Sequence, residues 1–213
     1  MAGVLLIAEA SGEQLAATTA ELVAEGGRLA KELGGGPVTV LLAGKNVQGL
    51  ASSLGQLGAD NVLVADSQRP TPPSPQWLLT AAEQAANQTQ PDVILLTHAG
   101  GARDLGPSLA YRLGSGIVTD STALRVQSGE LVFTKPVFGG SAIAEFAINA
   151  SPRVITLRPR AFASAEPPAA REARVEALSV PDADSAVEWP RTGQTPAPGF
   201  PIAPFSKCRL TMS

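Results

Sequence analysis

Four runs of the chain are almost purely apolar: Val4–Ala8 (VLLIA), Val38–Gly44 (VTVLLAG), Asn61–Asp66 (NVLVAD) and Asp92–His98 (DVILLTH). Runs of this length without polar alternation predict strands covered on both faces, as in a parallel sheet. The segments between them carry helical periodicity instead. Leu15, Leu22, Val23, Leu29, Ala30 and Leu33 recur at helical spacing, with Ser11 and Gln14 placed as a capping box and Gly34–Gly36 and Pro37 as the stop. Asn46 stands where it can cap a short helix carrying Val47, Leu50, Leu54 and Leu57, closed by Gly58. Ser74 followed by Pro75 is an N-cap with proline at the first helical position, and that helix is expected to run to about Gln90. The order is βαβαβαβ, which predicts parallel strands joined by right-handed helical crossovers.

After a further helix ending at Leu113 the rhythm changes. GIVTDSTALRVQ, ELVFTKPVFG, AIAEFAI and RVITLRP follow one another with short turns and no helix between. Short connections predict antiparallel strands that extend or flank the parallel sheet, with Pro136 on an edge or at a bulge. The fold expected is therefore three-layer α/β/α with a mostly parallel sheet, plus antiparallel strands after residue 115. Beyond Arg158 lie nine of the 18 prolines, and ARVEALSV (Ala173–Val180) is the one remaining strand candidate. The expected organisation is one domain over residues 1–188 and a Pro-rich tail over 189–213.

Composition narrows the function classes. Charged residues make up 16% of the 213, acids and bases are mixed along the chain, and the formal net charge is −3. No basic block with interleaved aromatics exists, which argues against a nucleic-acid partner. One cysteine, Cys208, rules out an internal disulfide framework and suits a reducing compartment. The N-terminal apolar run lacks a basic flank, and no run approaches the roughly 20 residues of a membrane span. A cytoplasmic location without a membrane span is expected.

Chemistry-bearing motifs are sparse. There is no G-x-x-x-x-G-K-[ST], and GSGIVT starts a dinucleotide fingerprint without its third glycine. One histidine and one cysteine, 110 positions apart, make no metal site. GPSLA resembles a nucleophile elbow, but it ends in Ala110 and places Ser108 inside a helix rather than at a strand-to-helix turn. His98 closes the fourth strand and reads equally well as a structural imidazole. No catalytic residue is expected.

Two glycine turns remain. In HAGGARDLGPS, Pro107 requires the helix to begin shortly before it, near Arg103 or Asp104. Gly100 and Gly101 then lie just beyond the carboxyl end of a strand, where open α/β sheets bind ligands and a helix N-terminus favours anions. The same residues also fit a plain structural role, Asp104 capping the helix while the glycines permit a tight turn. In VFGGSA, Gly139 and Gly140 suit a hairpin turn or the close approach of another backbone.

The segments VLLIAEASGEQLAATTAELVAEGGRLA, VTVLLAG, PDVILLTHAGGARDLGPSLAYRLGSGIVTDSTAL, FTKPVFGGSAIAEF and RVITLRPRAF, taken in this order, resemble the N-terminal domain of the electron transfer flavoprotein alpha subunit. The resemblance covers about Val4 to Val180. It implies a fold related to the adenine-nucleotide-binding (alpha-hydrolase-like) domains of universal stress proteins, and a beta subunit as partner. In that family an FAD bound largely by a C-terminal domain of the alpha subunit carries electrons from dehydrogenases, such as acyl-CoA dehydrogenases, towards a quinone reductase. Family alpha subunits continue after the segment matching VEALSV into a Rossmann-like FAD domain opened by a strand and a GGRG-type turn. Here VEWPRTGQTPAPGFPIAPFSKCRLTMS follows. The implied role is a non-catalytic scaffold domain that retains no FAD by itself, with Thr97–Asp120 as scaffold. Gly100, Gly101, Arg103, Asp104, Gly139 and Gly140 are nucleotide or domain-docking candidates. The other function open to this fold is a free-standing AMP- or ATP-binding module. An isolated scaffold domain is also expected to self-associate, with Val137–Phe146 contributing.

Overall fold

The computed structural model of the protein describes residues 3–11, 14–67, 73–127, 129–164 and 172–181. The expected tail Trp189–Ser213, the boundary at residue 188 and Cys208 lie outside the described residues.

Seven strands form one sheet: β1 (Val4–Ala8), β4 (Val38–Gly44), β5 (Asn61–Asp66), β6 (Val93–Thr97), β7 (Ile117–Ser121), β11 (Arg153–Leu157) and β12 (Arg174–Ala177). Their spatial order is β12-β5-β4-β1-β6-β11-β7, and every neighbouring pair is parallel. The uninterrupted apolar runs have a direct cause. Val4, Leu6 and Ala8 pack into one layer, while Leu5 and Ile7 pack into the other, so both faces of each strand are dry. The first layer is closed by α1 (Thr19–Glu32) and α2 (Ala51–Leu57) through Leu22, Val23, Leu29, Ala51 and Leu54. The second is closed by α3 (Pro75–Thr89) and α4 (Ala102–Arg112) through Trp77, Ala81, Ala82, Ala85 and Leu109.

Several sequence expectations change in detail. Helix α1 starts at Thr19, not beside Ser11, because Ala10–Ser11 (β2) and Gln14–Leu15 (β3) pair as a small antiparallel ladder. Backbone groups that a capping box would serve are used there, and the Ala16 N–H donates to the Glu9 carbonyl. Asn46 does not cap a helix. It sits at φ 56° and its N–H donates to the Asp66 carboxylate at 2.7 Å, while a 3₁₀ turn, Gln48–Leu50, leads into α2. Gly58 closes α2 in the left-handed conformation, and the Ser74 hydroxyl accepts from the Trp77 N–H, both as expected.

The larger correction concerns the residues after 115. Strands β8 (Ala123–Gln127), β9 (Glu130–Val137) and β10 (Ala142–Ala147) do pair antiparallel, in a separate sheet ordered β10-β9-β8. Strands β7 and β11 do not join them. β11 inserts into the main sheet between β6 and β7, parallel to both. A parallel neighbour needs a crossover of a dozen residues or more, usually a helix. Here the small sheet supplies that crossover. It adds Leu124, Leu131 and the fully buried Phe133 to the α1 layer, and burying a Phe side chain is worth about 1.5–3 kcal/mol. Arg28 ties the two parts together, bonding Glu25 at 2.9 Å through Nε and the Leu124 carbonyl at 2.9 Å through an Nη. Pro136 lies on the middle strand β9, but β8 pairs no further along it than Thr134, so the proline faces one neighbour only.

Candidate functional site

After β5 the chain passes through α3 to β6, on the opposite side of β1 from β4. The direction in which strands are added reverses at β1, and such a reversal opens a crevice at the carboxyl ends of the strands. A cleft of about 450 Å³ lies there, between the first turns of α3 and α4. Ile7, Leu41, Pro75, Leu78, Leu79 and Leu105 give it apolar walls. Among the described residues its polar lining is Glu9, Gln76, Asp104 and Ser108, with no Lys, Arg or His.

The turn at Gly100 forms one rim. Gly100 has φ 47°, a conformation that favours glycine, and Gly101 is the N-cap of α4 with no side-chain cap bond. Asp104 is therefore not the cap. It lies in the first helical turn and is exposed, where its charge suits the helix dipole. The capping carboxylate comes from the end of β1: Glu9 Oε1 accepts the Ala102 N–H at 3.3 Å. A Cβ built on Gly100 would stand 3.6 Å from both Glu9 carboxylate oxygens. Burial pushes the Glu9 carboxyl above its ordinary pKa, and the Ala102 hydrogen bond opposes that rise. The position that a bound anion takes at a helix N-terminus is filled by the protein's own carboxylate.

Arg103 is exposed and turns away, its Nε donating weakly to the His98 carbonyl at 3.4 Å. Pro107 lies just past the first turn of α4. Ser108 donates to the Asp104 carbonyl at 2.8 Å, as a helix residue bonding back along its own turn, and no strand-to-helix elbow exists there. The expected glycine turn of Gly139 and Gly140 connects β9 to β10, with φ 66° and 93°, and both residues are exposed with open space around them. They belong to the small sheet and take no part in lining the cleft. Of the six candidate residues, the structure thus brings Gly101 and Asp104 to the cleft and Gly100 against Glu9. Glu9 escaped the sequence reading. Its signal was a carboxylate directly after a buried strand, but its partner Ala102 lies 93 residues on.

A second polar cluster sits on the carboxyl ends of β6, β11 and β7. The buried Thr156 hydroxyl accepts from the Asp120 N–H at 3.0 Å and lies 2.8 Å from His98 Nδ1. Burial holds the His98 imidazole below its ordinary pKa; Asp120 opposes this, and Arg103, Lys135 and Arg158 add to it. The Arg158 guanidinium holds the Asp120 carboxyl below the usual carboxylate value. Lys135 donates to Thr119 at 3.2 Å. Each group has a structural partner. Among the described residues no set of three or more His, Cys, Asp or Glu is placed to hold a metal ion, and no helix is long and apolar enough to cross a membrane.

Phe138 in the turn between β9 and β10, and Ile143 and Phe146 on β10, are exposed apolar side chains, with Ile143 and Phe146 on opposite faces of the strand. Phe138 is 85% exposed, Ile143 75% and Phe146 39%. Single exposed apolar side chains are ordinary on a protein surface, and these three lie within nine residues of one another.

Comparison with known proteins places these features. Residues 4–183 match the family described as the electron transfer flavoprotein domain. The chain is 36% identical over 163 residues to Protein FixB of Clostridium saccharobutylicum, covering 75% of this chain and 48% of that protein. It is 30% identical over 178 residues to the electron transfer flavoprotein subunit alpha of Bacillus subtilis (strain 168), covering 83% and 54%. It is 31% identical over 179 residues to the acryloyl-CoA reductase electron transfer subunit beta of Anaerotignum propionicum, covering 70% and 47%. The chain spans about half the length of the curated relatives it matches.

Proposed function

Because the chain belongs to the electron transfer flavoprotein family, we propose that it serves as the scaffold domain of an alpha-type subunit in an FAD-dependent electron carrier. In this reading it does no chemistry with its own side chains. It positions a beta-type partner and the flavin-bearing part of the complex while a dehydrogenase delivers electrons. The relatives named as electron transfer subunits support the redox setting.

The observation that carries the scaffold role is Glu9 on the N-terminus of α4. A flavin or nucleotide binds this kind of fold by laying its phosphates on helix N–H groups and nearby cations. The cleft offers carboxylates instead, Glu9 and Asp104, so its residues do not fit a flavin diphosphate. The same observation counts against a free-standing AMP- or ATP-binding module. In this reading exposed Phe138 and Ile143, at the turn into β10 and on its first residues, form the docking surface for the beta-type partner.

The test is to purify the chain, record its flavin absorbance and titrate it with FAD by fluorescence, alone and with a beta-type subunit present. Colourless protein without saturable FAD binding when alone is the expected result. Stoichiometric FAD on the isolated chain would overturn the reading.

A further inference from the structure

Where β7 leaves the main sheet for the small one, a buried hydroxyl stands in for the ladder. The pairing of β11 with β7 shifts between Ile155 and Leu157, so that Thr119 and Asp120 together face the single residue Thr156. An extra residue of this kind leaves a backbone group outside the ladder and bends its strand. The Asp120 N–H finds a side chain instead, donating to Thr156 Oγ1 at 3.0 Å. Thr156 is fully buried, and the same oxygen lies 2.8 Å from His98 Nδ1. A threonine hydroxyl has one proton to give and two lone pairs to receive. Asp120 occupies a lone pair. Among the hydrogen bonds of the described residues, His98 Nδ1 is the other partner of this oxygen, so it receives the hydroxyl proton. The imidazole is thereby assigned as neutral, with its own proton on Nε2. Asp120, held at φ 61°, lies two residues before Thr122, whose N–H donates to the Thr134 carbonyl at 2.8 Å. Lys135, next along β9, donates to Thr119 at 3.2 Å. The hydroxyl thus sits at the root of the small sheet.

We propose that His98, Thr156 and Asp120 form a pH-sensitive latch at the root of the small sheet, closed while His98 is neutral and released when it takes up a proton. The reason is a count of protons. A protonated imidazole carries N–H at Nδ1, so Thr156 Oγ1 faces two donors and its own proton loses its acceptor. A buried polar group without a partner carries its full desolvation cost. The conflict is relieved when the imidazole turns away or the Asp120 N–H lets go, and either change frees the bulged strand end. The surroundings set the direction. Burial opposes the imidazolium most, and Arg103 on α4, Lys135 on β9 and Arg158 after β11 oppose it as well. Among the described residues Asp120 on β7 is the charged group that favours it. The latch is therefore closed at neutral pH and opens in acid. The small sheet carries Phe138 and Ile143, so the latch governs how firmly those exposed side chains are held. It lies within this chain and works the same way with or without a beta-type partner.

His98 is the one histidine of the chain, so its titration is read without ambiguity. Nitrogen NMR of the full chain should show neutral His98 with its proton on Nε2 and a midpoint below the ordinary imidazole value. Amide exchange, corrected for intrinsic rates, gives the second reading. From about pH 7.5 down to about 5, protection of the Asp120 and Thr122 amides should fall several-fold. The amides of Leu6 and Leu41, fully buried at the centre of the sheet, should keep theirs. His98→Asn carries a carbonyl oxygen near the place of Nδ1, able to accept the Thr156 proton at any pH, so its Asp120 protection should not vary with pH. Thr156→Val removes the hydroxyl and should raise the His98 midpoint and abolish the preference for the Nε2 proton, while Thr156→Ser restores both. A neutral parent with its proton on Nδ1 would overturn the proposal. So would Asp120 protection that stays flat through the titration, an equal loss of protection across the whole sheet, or the parent's pH dependence persisting in His98→Asn.

Discussion

The Arg158 guanidinium grips both carboxylate oxygens of Asp120, Nε to Oδ1 at 2.9 Å and an Nη to Oδ2 at 2.6 Å. It does so across β11 and β7, the last two strands of the parallel sheet. Asp120 has φ 61°, a left-handed conformation that only glycine, asparagine and aspartate visit readily. The backbone of Arg158 donates to the Ser121 carbonyl at 2.8 Å, so main chain and side chain hold the same irregular strand end. The pairing shifts register between Ile155 and Leu157, and this clamp sits at that shift.

Substitutions at Asp120 should separate the two contributions. Asp120→Asn keeps a residue that tolerates the left-handed region and loses only the ion pair, which is partly exposed and screened. A small loss of stability that fades at high salt is expected. Asp120→Val adds a β-branched side chain at positive φ and should cost about 1–2 kcal/mol more through the backbone alone. Urea denaturation at low and high salt measures both, and equal losses for the two variants would contradict this account.

Two adjacent glycines in α1 should respond in opposite directions. A Cβ on Gly26 would fall 2.7 Å from Leu6 Cδ2, and Leu6 is fully buried and cannot swing clear. Gly26→Ala should destabilise by about 1–3 kcal/mol. A Cβ on Gly27 meets nothing within 4 Å. Gly27→Ala in a helix interior should stabilise by about 0.5–1 kcal/mol. Thermal melts of the two single variants, run side by side, decide the point.

Three shifted groups shape the pH dependence. His98 has a folded pKa below its ordinary value, so its contribution is present above that value and is lost as pH falls through the folded one. Asp120 follows the same sign at lower pH. Glu9 is raised, so its contribution is present below the ordinary carboxylate value and is lost as pH rises through the folded value. Unfolding measured from about pH 7.5 down to about 5 should show less acid loss in His98→Gln than in the parent. Glu9→Gln should gain on the parent as pH rises from acid to neutral. Parallel profiles for all three proteins would refute the assignment.

The exposed apolar side chains at and after the turn between β9 and β10 should control association. Replacing Phe138 and Ile143 by Ser removes exposed apolar surface and leaves the fully buried Phe133 untouched. Stability should change little, within about 0.5 kcal/mol for such surface positions. Self-association, and binding to a beta-type subunit, should fall at least about tenfold. Sedimentation velocity and pull-down with a beta-type subunit give the two readings, and undiminished association would move the interface elsewhere.

The sequence alone determined the parallel half of this protein, because its signals are local. An apolar run buried on both faces, a Ser-Pro helix start and a glycine helix stop each act within a few residues, so β1, β4, β5, β6, the start of α3 and the end of α2 were legible. The order and wording of the segments likewise carried the family. What the tertiary structure decided lies in pairings between distant residues. Val154–Leu157 reads as a buried strand, but nothing local says whether its neighbour is the preceding hairpin or β6, some 60 residues earlier in the chain. The small sheet, by serving as a crossover, turned an expected antiparallel strand into a parallel one. The cleft has the same origin. Its apolar walls were visible as strand and helix residues, whereas its charge was set by Glu9 meeting Ala102 across 93 positions. A hydrogen bond between groups so far apart leaves no periodicity in the sequence, since only the closing of the sheet brings them within reach.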